Sequence, residues 1–235
     1  MSTDSVASTR QAAVRVVTGH YGSGKTEVSV SLAMRLAGLG HKVALADLDI
    51  VNPYFRSREQ ADLMTAAGIE VISSTLGHTV TLDLPAVSPK VHVPLADPTC
   101  EVILDAGGNE VGVKVLAEFA ADLRRREAEV LLVVNAYRPE TVDVPGVLRH
   151  LRAIEATSGF AVTGLISNTH VCRETTADDV AAGYRLTHDV SAATGIPISF
   201  VCGVPAALDG LQDRLGEPVL GELLPIGLYL RDAWM

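Results

Sequence analysis

The amino-acid sequence predicts an α/β fold with a doubly wound, mostly parallel sheet flanked by helices. Short apolar runs alternate with segments of helical periodicity along the chain, as in successive strand–helix–strand units. Apolar residues make up 48% of the chain and aromatic residues only 4%, and a core of alanine, valine and leucine suits a sheet covered on both faces. The length of 235 residues suits one domain. We expect that domain over residues 12–235, after a flexible tail at 1–11.

The first strand, predicted over residues 13–17, leads into a glycine-rich loop. Residues 19–26 read GHYGSGKT and fit the phosphate-binding pattern G-x-x-x-x-G-K-[ST]. Glycines let the backbone turn its N–H groups toward a phosphate, the lysine reaches the β- and γ-phosphates, and the threonine hydroxyl binds Mg²⁺. Apolar residues at helical spacing follow to about residue 38. The candidate nucleotide ligands are Gly19, Gly22, Ser23, Gly24, Lys25, Thr26 and Glu27.

The second strand, residues 42–46, ends in two carboxylates, Asp47 and Asp49. Ligands bind at the carboxyl ends of parallel strands. Because side chains alternate along an extended chain, we expect both carboxylates to face the same way. This placement favours a functional role over a helix cap or a turn.

Residues 57–68 predict a short helix and residues 69–72 a third strand. The stretch 73–99 that follows holds four prolines and little periodicity. A loop of that length is either functional or contains short helices. Two interpretations stay open, an irregular cover over the sheet and a substrate lid.

The fourth strand, residues 101–104, ends in the sequence DAGG. Its acid, Asp105, is what a Walker-B element needs to hold the Mg²⁺ hydration shell, and the N–H of Gly108 can meet a γ-phosphate. A helix is predicted over 111–126. The arginines at 124–126 complement its dipole, an interpretation we favour over a nucleic-acid patch.

Three further strands are predicted, over residues 130–134, 161–166 and 196–201. Helices between them end near residue 158 and span 175–194. Residues 219–235 are fairly apolar, but a proline and a glycine interrupt them and they hold one cation. We interpret them as a docked terminal segment rather than a membrane anchor.

Charge and cysteine usage exclude several classes of protein. The formal net charge is −9 and the pI about 5.2, which argues against non-specific binding to nucleic acid or anionic membranes. The three cysteines contain no C-x-x-C pair, which indicates reduced thiols without an iron–sulfur or zinc site. The chain shows no secretory signal and no apolar stretch of transmembrane length. We expect a cytoplasmic protein.

Taken in order, these motifs resemble the CobQ/CobB/MinD/ParA group of P-loop ATPases, in the SIMIBI class. The resemblance rests on the GHYGSGKT loop, the DLD and DAGG strand ends, and Asn168. It covers about residues 13–210 of the chain. It extends to bacterial ATP-binding proteins in which DLDIVNPYFRSRE follows the same loop. The resemblance implies a P-loop NTPase fold with ATP and Mg²⁺ as cofactors.

The resemblance also implies roles for particular residues. Lys25 and Asp49 are the implied catalytic residues, with Asp49 orienting or activating the attacking water. Thr26, Asp49 and Asp105 are the implied Mg²⁺ ligands, and Asp47 supports that shell or the loop. Gly108 falls in the switch II segment. Asn168 reads the purine, and Val204 and Pro205 pack against the base.

The chain departs from part of the group at one position. MinD and ParA relatives carry a second lysine early in the loop, which reaches the nucleotide of a dimer partner. The matching residue here is His20, and the whole chain has four lysines. Arg56, Arg58 or Lys114 can stand in, since arginine is an established transition-state cation. The departure weakens the expectation of a MinD-like dimer and leaves nucleotide binding untouched.

Adenine is expected rather than guanine. The guanine-reading motif N/T-K-x-D is replaced by Ser167-Asn168-Thr169-His170, which lacks both the lysine and the aspartate. His170 and Cys172 are only two potential metal ligands and do not make a site.

Three hypotheses of function follow. The first is a Mg²⁺-dependent slow ATPase that acts as a nucleotide-controlled switch on a partner protein, with a possible nucleotide-dependent homodimer. The second is an ATP-dependent ligase or kinase of a small anionic metabolite, similar to dethiobiotin or cobyrinate synthetases. The third is a binding module without catalysis, in which Asp49 and Asp105 are structural.

Overall fold

A computed structural model describes residues 12–49, 58–73 and 88–230 of the chain. The side chains of residues 58–60, 110 and 111 lie outside that description. Outside it too lie the predicted tail at 1–11 and most of the stretch 73–99.

Eight strands form one sheet in the described part of the chain. They are β1 (Val14–Gly19), β2 (Lys42–Asp47), β3 (Ile69–Ile72), β4 (Cys100–Asp105), β5 (Glu129–Val134), β6 (Gly164–Ser167), β7 (Ile198–Gly203) and β8 (Glu222–Pro225). Their order is β3-β2-β4-β1-β5-β6-β7-β8, and every pairing is parallel. The predicted parallel sheet is confirmed.

Nine α-helices connect the strands within the described residues. They are α1 (Lys25–Gly38), α2 (Arg58–Ala66), α3 (His92–Ala96), α4 (Glu110–Lys114), α5 (Ala120–Arg125), α6 (Val144–Ser158), α7 (Ala177–Thr194), α8 (Pro205–Asp209) and α9 (Leu211–Leu215). No helix in this part of the chain is long and apolar enough to cross a membrane.

The core lies on both faces of the sheet, as a doubly wound fold requires. Val28 and Leu32 of α1 pack on one face against residues such as Leu45. Leu116 and Leu151, from the helical layer of α4 to α6, pack on the opposite face. The central strands therefore bury both of their faces, which explains their nearly continuous apolar runs in the sequence.

Two elements differ from the sequence-based expectation. The helix predicted over 111–126 is interrupted by a 3₁₀ segment at Val115–Phe119, which turns the buried Phe119 into the core. The terminal segment, predicted only to dock, contributes β8. That strand lies at the edge of the sheet and pairs only with β7, so Pro225 costs no hydrogen bond on its outer side.

The strand order brings functional ends together. β1, which carries the phosphate loop, lies between β4 and β5. Asp47 and Asp105 are register partners at the ends of β2 and β4. The chain winds in opposite directions on the two sides of β1, and ligands of open α/β sheets bind at such a switch point.

Candidate nucleotide-binding site

The phosphate loop lies between β1 and α1 and takes a shape that glycine alone allows. Gly24 has a φ of 87°, in the left-handed region that L side chains rarely adopt. A Cβ atom there would lie 2.4 Å from Nδ2 of Asn168. The 14-residue helix α1 begins directly after Gly24, so the positive end of its dipole faces the loop.

Lys25 is buried beside two carboxylates. Its Nζ atom donates a hydrogen bond of 3.4 Å to the carbonyl oxygen of His20. Burial lowers the pKa of Lys25, while the charges of Asp105 and Asp49 act in the opposite direction. A buried ammonium at the mouth of a phosphate loop is the group that binds the β- and γ-phosphates.

Asp105 occupies the position predicted for the Walker-B acid. Its side chain accepts a hydrogen bond of 3.3 Å from Ser29 Oγ and is also hydrogen-bonded to Thr26. Burial raises the pKa of Asp105 to about 6, although Thr26, Lys25 and Ser29 act to lower it. A hydroxyl and a carboxylate in contact are the oxygen donors that Mg²⁺ takes in phosphate sites.

The two acids that follow β2 have different surroundings. The Asp49 N–H donates a hydrogen bond of 3.0 Å to Asp47 Oδ1, so Asp47 holds the turn in which Asp49 lies. Asp49 lines the cleft described below, and Asp47 does not. β2 ends at Asp47, and the strand alternation predicted for the pair therefore does not extend to Asp49.

The DAGG segment packs directly on the phosphate loop. Thr18 Oγ1 donates a hydrogen bond of 3.0 Å to the carbonyl oxygen of Gly107. A Cβ atom on Gly108 would lie 1.8 Å from the carbonyl oxygen of Gly19 and 3.2 Å from Lys25 Nζ. Only glycine fits at position 108, and its backbone is held next to the lysine.

Asn168 connects the end of another strand to the phosphate loop. It is buried at the end of β6, and its Nδ2 donates a hydrogen bond of 2.8 Å to the carbonyl oxygen of Ser23. Its Oδ1 accepts no hydrogen bond from the residues that the structure describes. That oxygen is available to a ligand.

A cleft of about 320 Å³ joins these groups. Lys25, Thr26 and Asp49 line it, together with Asn168 and Val204. Of the other predicted ligands, Gly22, Gly24 and Glu27 also line it. The wall does not include Gly19, Ser23, Asp105, Gly108 or Pro205.

None of the three cations that the sequence offered as substitutes for a second loop lysine is seen to line the cleft in the described part of the chain. Arg56 and the side chain of Arg58 lie outside the described residues, and Lys114 is exposed on α4, away from the cleft wall. Arg138, which the sequence did not indicate, lines the cleft instead. Its Nε donates a hydrogen bond of 2.7 Å to the carbonyl oxygen of Gly22. The sequence signal that could have indicated Arg138 is its position shortly after the end of β5, which lies next to β1 in the sheet.

The glycine-rich cradle and the oxygen donors fit a nucleotide and Mg²⁺. Fold and site together define a nucleotide-binding P-loop domain of the SIMIBI class. The family profile of the CobQ/CobB/MinD/ParA nucleotide binding domain (CbiA) matches residues 15–179, well over half of the chain. The protein belongs to this family. No curated protein matches the chain.

Solved structures share the fold. The cell division protein FtsY of Thermotoga maritima is 26% identical, with a TM-score of 0.58 over 89% of this chain and 70% of that one. Chloroplast FtsY of Physcomitrella patens is 23% identical, with a TM-score of 0.58 over 88% and 66%. The 54 kDa signal recognition particle protein of Aeropyrum pernix, solved with GDP, is 20% identical, with a TM-score of 0.50 over 81% and 41%. The latter two likenesses show the fold alone.

Proposed function

We propose that the protein is a Mg²⁺-dependent ATP-binding protein that hydrolyses ATP slowly and acts as a nucleotide-controlled switch on a partner protein. One observation carries the proposal. Lys25, Thr26, Asp49 and Asp105 come from three separate strand ends: the first three line one cleft with the phosphate loop, and Asp105 is hydrogen-bonded to Thr26 beside it. This combination of a cation, a hydroxyl and carboxylates is the one that phosphoryl transfer uses.

Each group has a distinct task in this proposal. Lys25 binds the polyphosphate, and its buried charge is worth more there than in water. Thr26, Asp49 and Asp105 hold Mg²⁺, which neutralises the charge that develops on the phosphate oxygens. Asp49, which lines the cleft, orients the attacking water. Positioning and charge neutralisation account for the catalysis because phosphoryl transfer needs little covalent chemistry.

The base end of the cleft supports adenine. Guanine presents N–H donors at N1 and N2 that a carboxylate accepts, as in the N/T-K-x-D motif. Among the described residues that line the cleft, the only carboxylates are Asp49 and Glu27, and Oε2 of Glu27 already accepts a hydrogen bond from the Leu230 N–H. Asn168 Nδ2 is engaged with Ser23, while Oδ1 can accept from the exocyclic amine of adenine, at the position where guanine has the O6 acceptor. The GDP in the Aeropyrum protein makes guanine the competitor to test.

The DAGG segment supports a switch. Gly108 abuts both Gly19 and Lys25, so a γ-phosphate beside Lys25 contacts this segment and a diphosphate does not. Loops ordered by a γ-phosphate and released on hydrolysis are a known device for controlling partners. The described cysteines are all free thiols, in keeping with a cytoplasmic location.

Hydrolysis of Mg·ATP by wild-type, Lys25→Ala and Asp49→Ala protein tests the proposal. We expect slow turnover by the wild type and a loss of roughly 100-fold or more in each variant. Lys25→Ala also loses nucleotide binding, whereas Asp49→Ala retains it. Unchanged hydrolysis in Asp49→Ala would remove the role given to that carboxylate.

The switch itself is tested by light-scattering mass of Asp49→Ala protein with Mg²⁺ and either ADP or ATP. A monomer in ADP that dimerises in ATP supports a switch that works through self-association, although position 20 is a histidine. If the mass is the same in ADP and ATP, and the wild type hydrolyses ATP only after one metabolite is added, the protein is instead an ATP-dependent ligase or kinase.

A further inference from the structure

The segment 226–230, directly after β8, forms one wall of the nucleotide cleft. Ile226, Leu228 and Leu230 all line the cleft. These alternate aliphatic residues lie beyond the part of the chain that the family profile matches, residues 15–179. The phosphate-loop motif does not account for them.

The segment is fastened to the helix that follows the phosphate loop. The Gly227 N–H donates a hydrogen bond of 3.2 Å to Ser31 Oγ. The Leu230 N–H donates one of 3.2 Å to Glu27 Oε2. Glu27 comes immediately after Thr26, in the first turn of α1. The wall is therefore held in a fixed place relative to the phosphate-binding end of the site.

The segment is also hydrogen-bonded to the end of the neighbouring strand, β7. The Ile226 N–H donates a hydrogen bond of 2.8 Å to the carbonyl oxygen of Gly203. Gly203 and its neighbour Val204 line the cleft as well. Ile226 is 7% exposed and belongs to the core, while Leu228 and Leu230 are half-buried. Leu228 and Leu230 pack against the core cluster that includes Ile226, and they line the cleft together with Val204.

We propose that segment 226–230 is the base-binding wall of the site, with Leu228 and Leu230 packing against the purine ring of the nucleotide whose phosphates Lys25 holds. This inference rests on the proposed function and specifies where the base lies. The occupant follows from continuity, because one cleft reaches from Lys25 to these leucines. A purine is the flat, weakly polar part of a nucleotide, and aliphatic side chains stabilise it by excluding water.

The wall strengthens binding without choosing between bases. Its side chains offer no hydrogen bond, so adenine and guanine gain similar contact with it. Discrimination is left to the amide of Asn168. The inference therefore predicts two separable effects, one on affinity from the leucines and one on base preference from the asparagine.

The test compares Mg·ATP with inorganic tripolyphosphate plus Mg²⁺, a probe that keeps the phosphates and lacks the base. The variant is Leu228→Ala/Leu230→Ala, measured by calorimetric titration. The matched control is Leu220→Ala, which truncates a leucine that is 54% exposed and lies outside the cleft wall. We expect ATP affinity to fall roughly 10-fold or more in the double variant, tripolyphosphate affinity to stay unchanged, and the control to bind both as the wild type does.

Two outcomes would overturn the inference. Equal losses for ATP and tripolyphosphate would mean that the segment only supports the phosphate loop through α1, and no loss for either would mean that the base lies elsewhere. If the double variant does not fold, Leu230→Ala alone is measured, since it keeps the backbone bond to Glu27. A wild type that binds neither probe would instead remove the proposed function.

Discussion

Arg138 donates a hydrogen bond from Nε to the carbonyl oxygen of Gly22, at 2.7 Å. The two residues lie 116 positions apart in the sequence, and the bond places a guanidinium at the rim of the phosphate loop. Its remaining N–H groups make no hydrogen bond to the residues that the structure describes. Among the described residues that line the cleft, Lys25 and Arg138 are the only lysine and arginine.

Replacing Arg138 by glutamine is expected to weaken nucleotide binding. The amide of Arg138→Gln still donates to Gly22, but the charge is lost, so ATP affinity falls roughly 10-fold while the fold is retained. Titration with ATP measures the effect. Arg152→Gln, on the exposed side of α6, is the matched control. Wild-type affinity in Arg138→Gln would mean that the arginine only supports the loop.

A methyl group at position 108 is expected to stop hydrolysis. The Cβ of Gly108→Ala would lie 1.8 Å from the carbonyl oxygen of Gly19, so the DAGG segment has to move away from the phosphate loop. We expect hydrolysis to fall roughly 100-fold. Gly38→Ala is the control, because a Cβ there meets nothing within 4 Å. Equal activity in the two variants would contradict the close packing described at Gly108.

The stability of the protein is expected to fall in acid partly because of His150. Its ring lies 5.4 Å from that of His20, at 71°. Burial, followed by the charges of His20 and Lys25, lowers the pKa of His150 from 6.5 to about 4, while Glu140 acts in the opposite direction. Between pH 4 and pH 6.5 the unfolded chain therefore binds more protons at His150 than the folded protein does. The stability that the neutral His150 contributes is complete above pH 6.5 and is lost as the pH falls toward 4.

The measurement is urea unfolding of wild-type and His150→Asn protein, at neutral pH and at about pH 5. We expect the wild type to lose about 1 kcal/mol more than the variant over that interval, after allowance for its partial exposure. Parallel losses in the two proteins would show that His150 does not titrate as its surroundings indicate.

The third arginine of the run at 124–126 is expected to be structural. Arg126 is 7% exposed, and its guanidinium donates to the carbonyl oxygens of Ala12, Pro94, Leu95, Asp97 and Cys100. Arg126→Met removes all five of these hydrogen bonds at once, so we expect the free energy of unfolding to fall by about 3 kcal/mol. Chemical denaturation measures it. A loss as small as that of the exposed Arg124→Met variant would contradict the assignment.

The sequence predicted the parallel sheet, and it placed the candidate ligands at strand ends, because both depend on local pattern. A glycine-rich loop between a strand and a helix, and an acid after an apolar strand, are visible without knowing what lies beside them. The roles of Lys25, Asp49 and Asn168 remain predictions that the experiments above test.

Contacts between distant parts of the chain could not be predicted in this way. Arg138 reaches Gly22 only because β5 pairs with β1. Local periodicity predicts strands but does not predict their order in the sheet. The leucine wall depends on Leu230 meeting Glu27 across 203 positions. The same limit applies to Arg126, since a run of three arginines does not show which one turns inward.

The most direct test of the account is titration of wild-type and Lys25→Ala protein with Mg·ATP and Mg·GTP. We expect the wild type to bind ATP more tightly than GTP and Lys25→Ala to lose roughly 100-fold in affinity for ATP. Tighter binding of GTP would contradict the choice of adenine. Equal affinity of wild type and Lys25→Ala for ATP would contradict the phosphate loop as the nucleotide site, and with it the account's central claim.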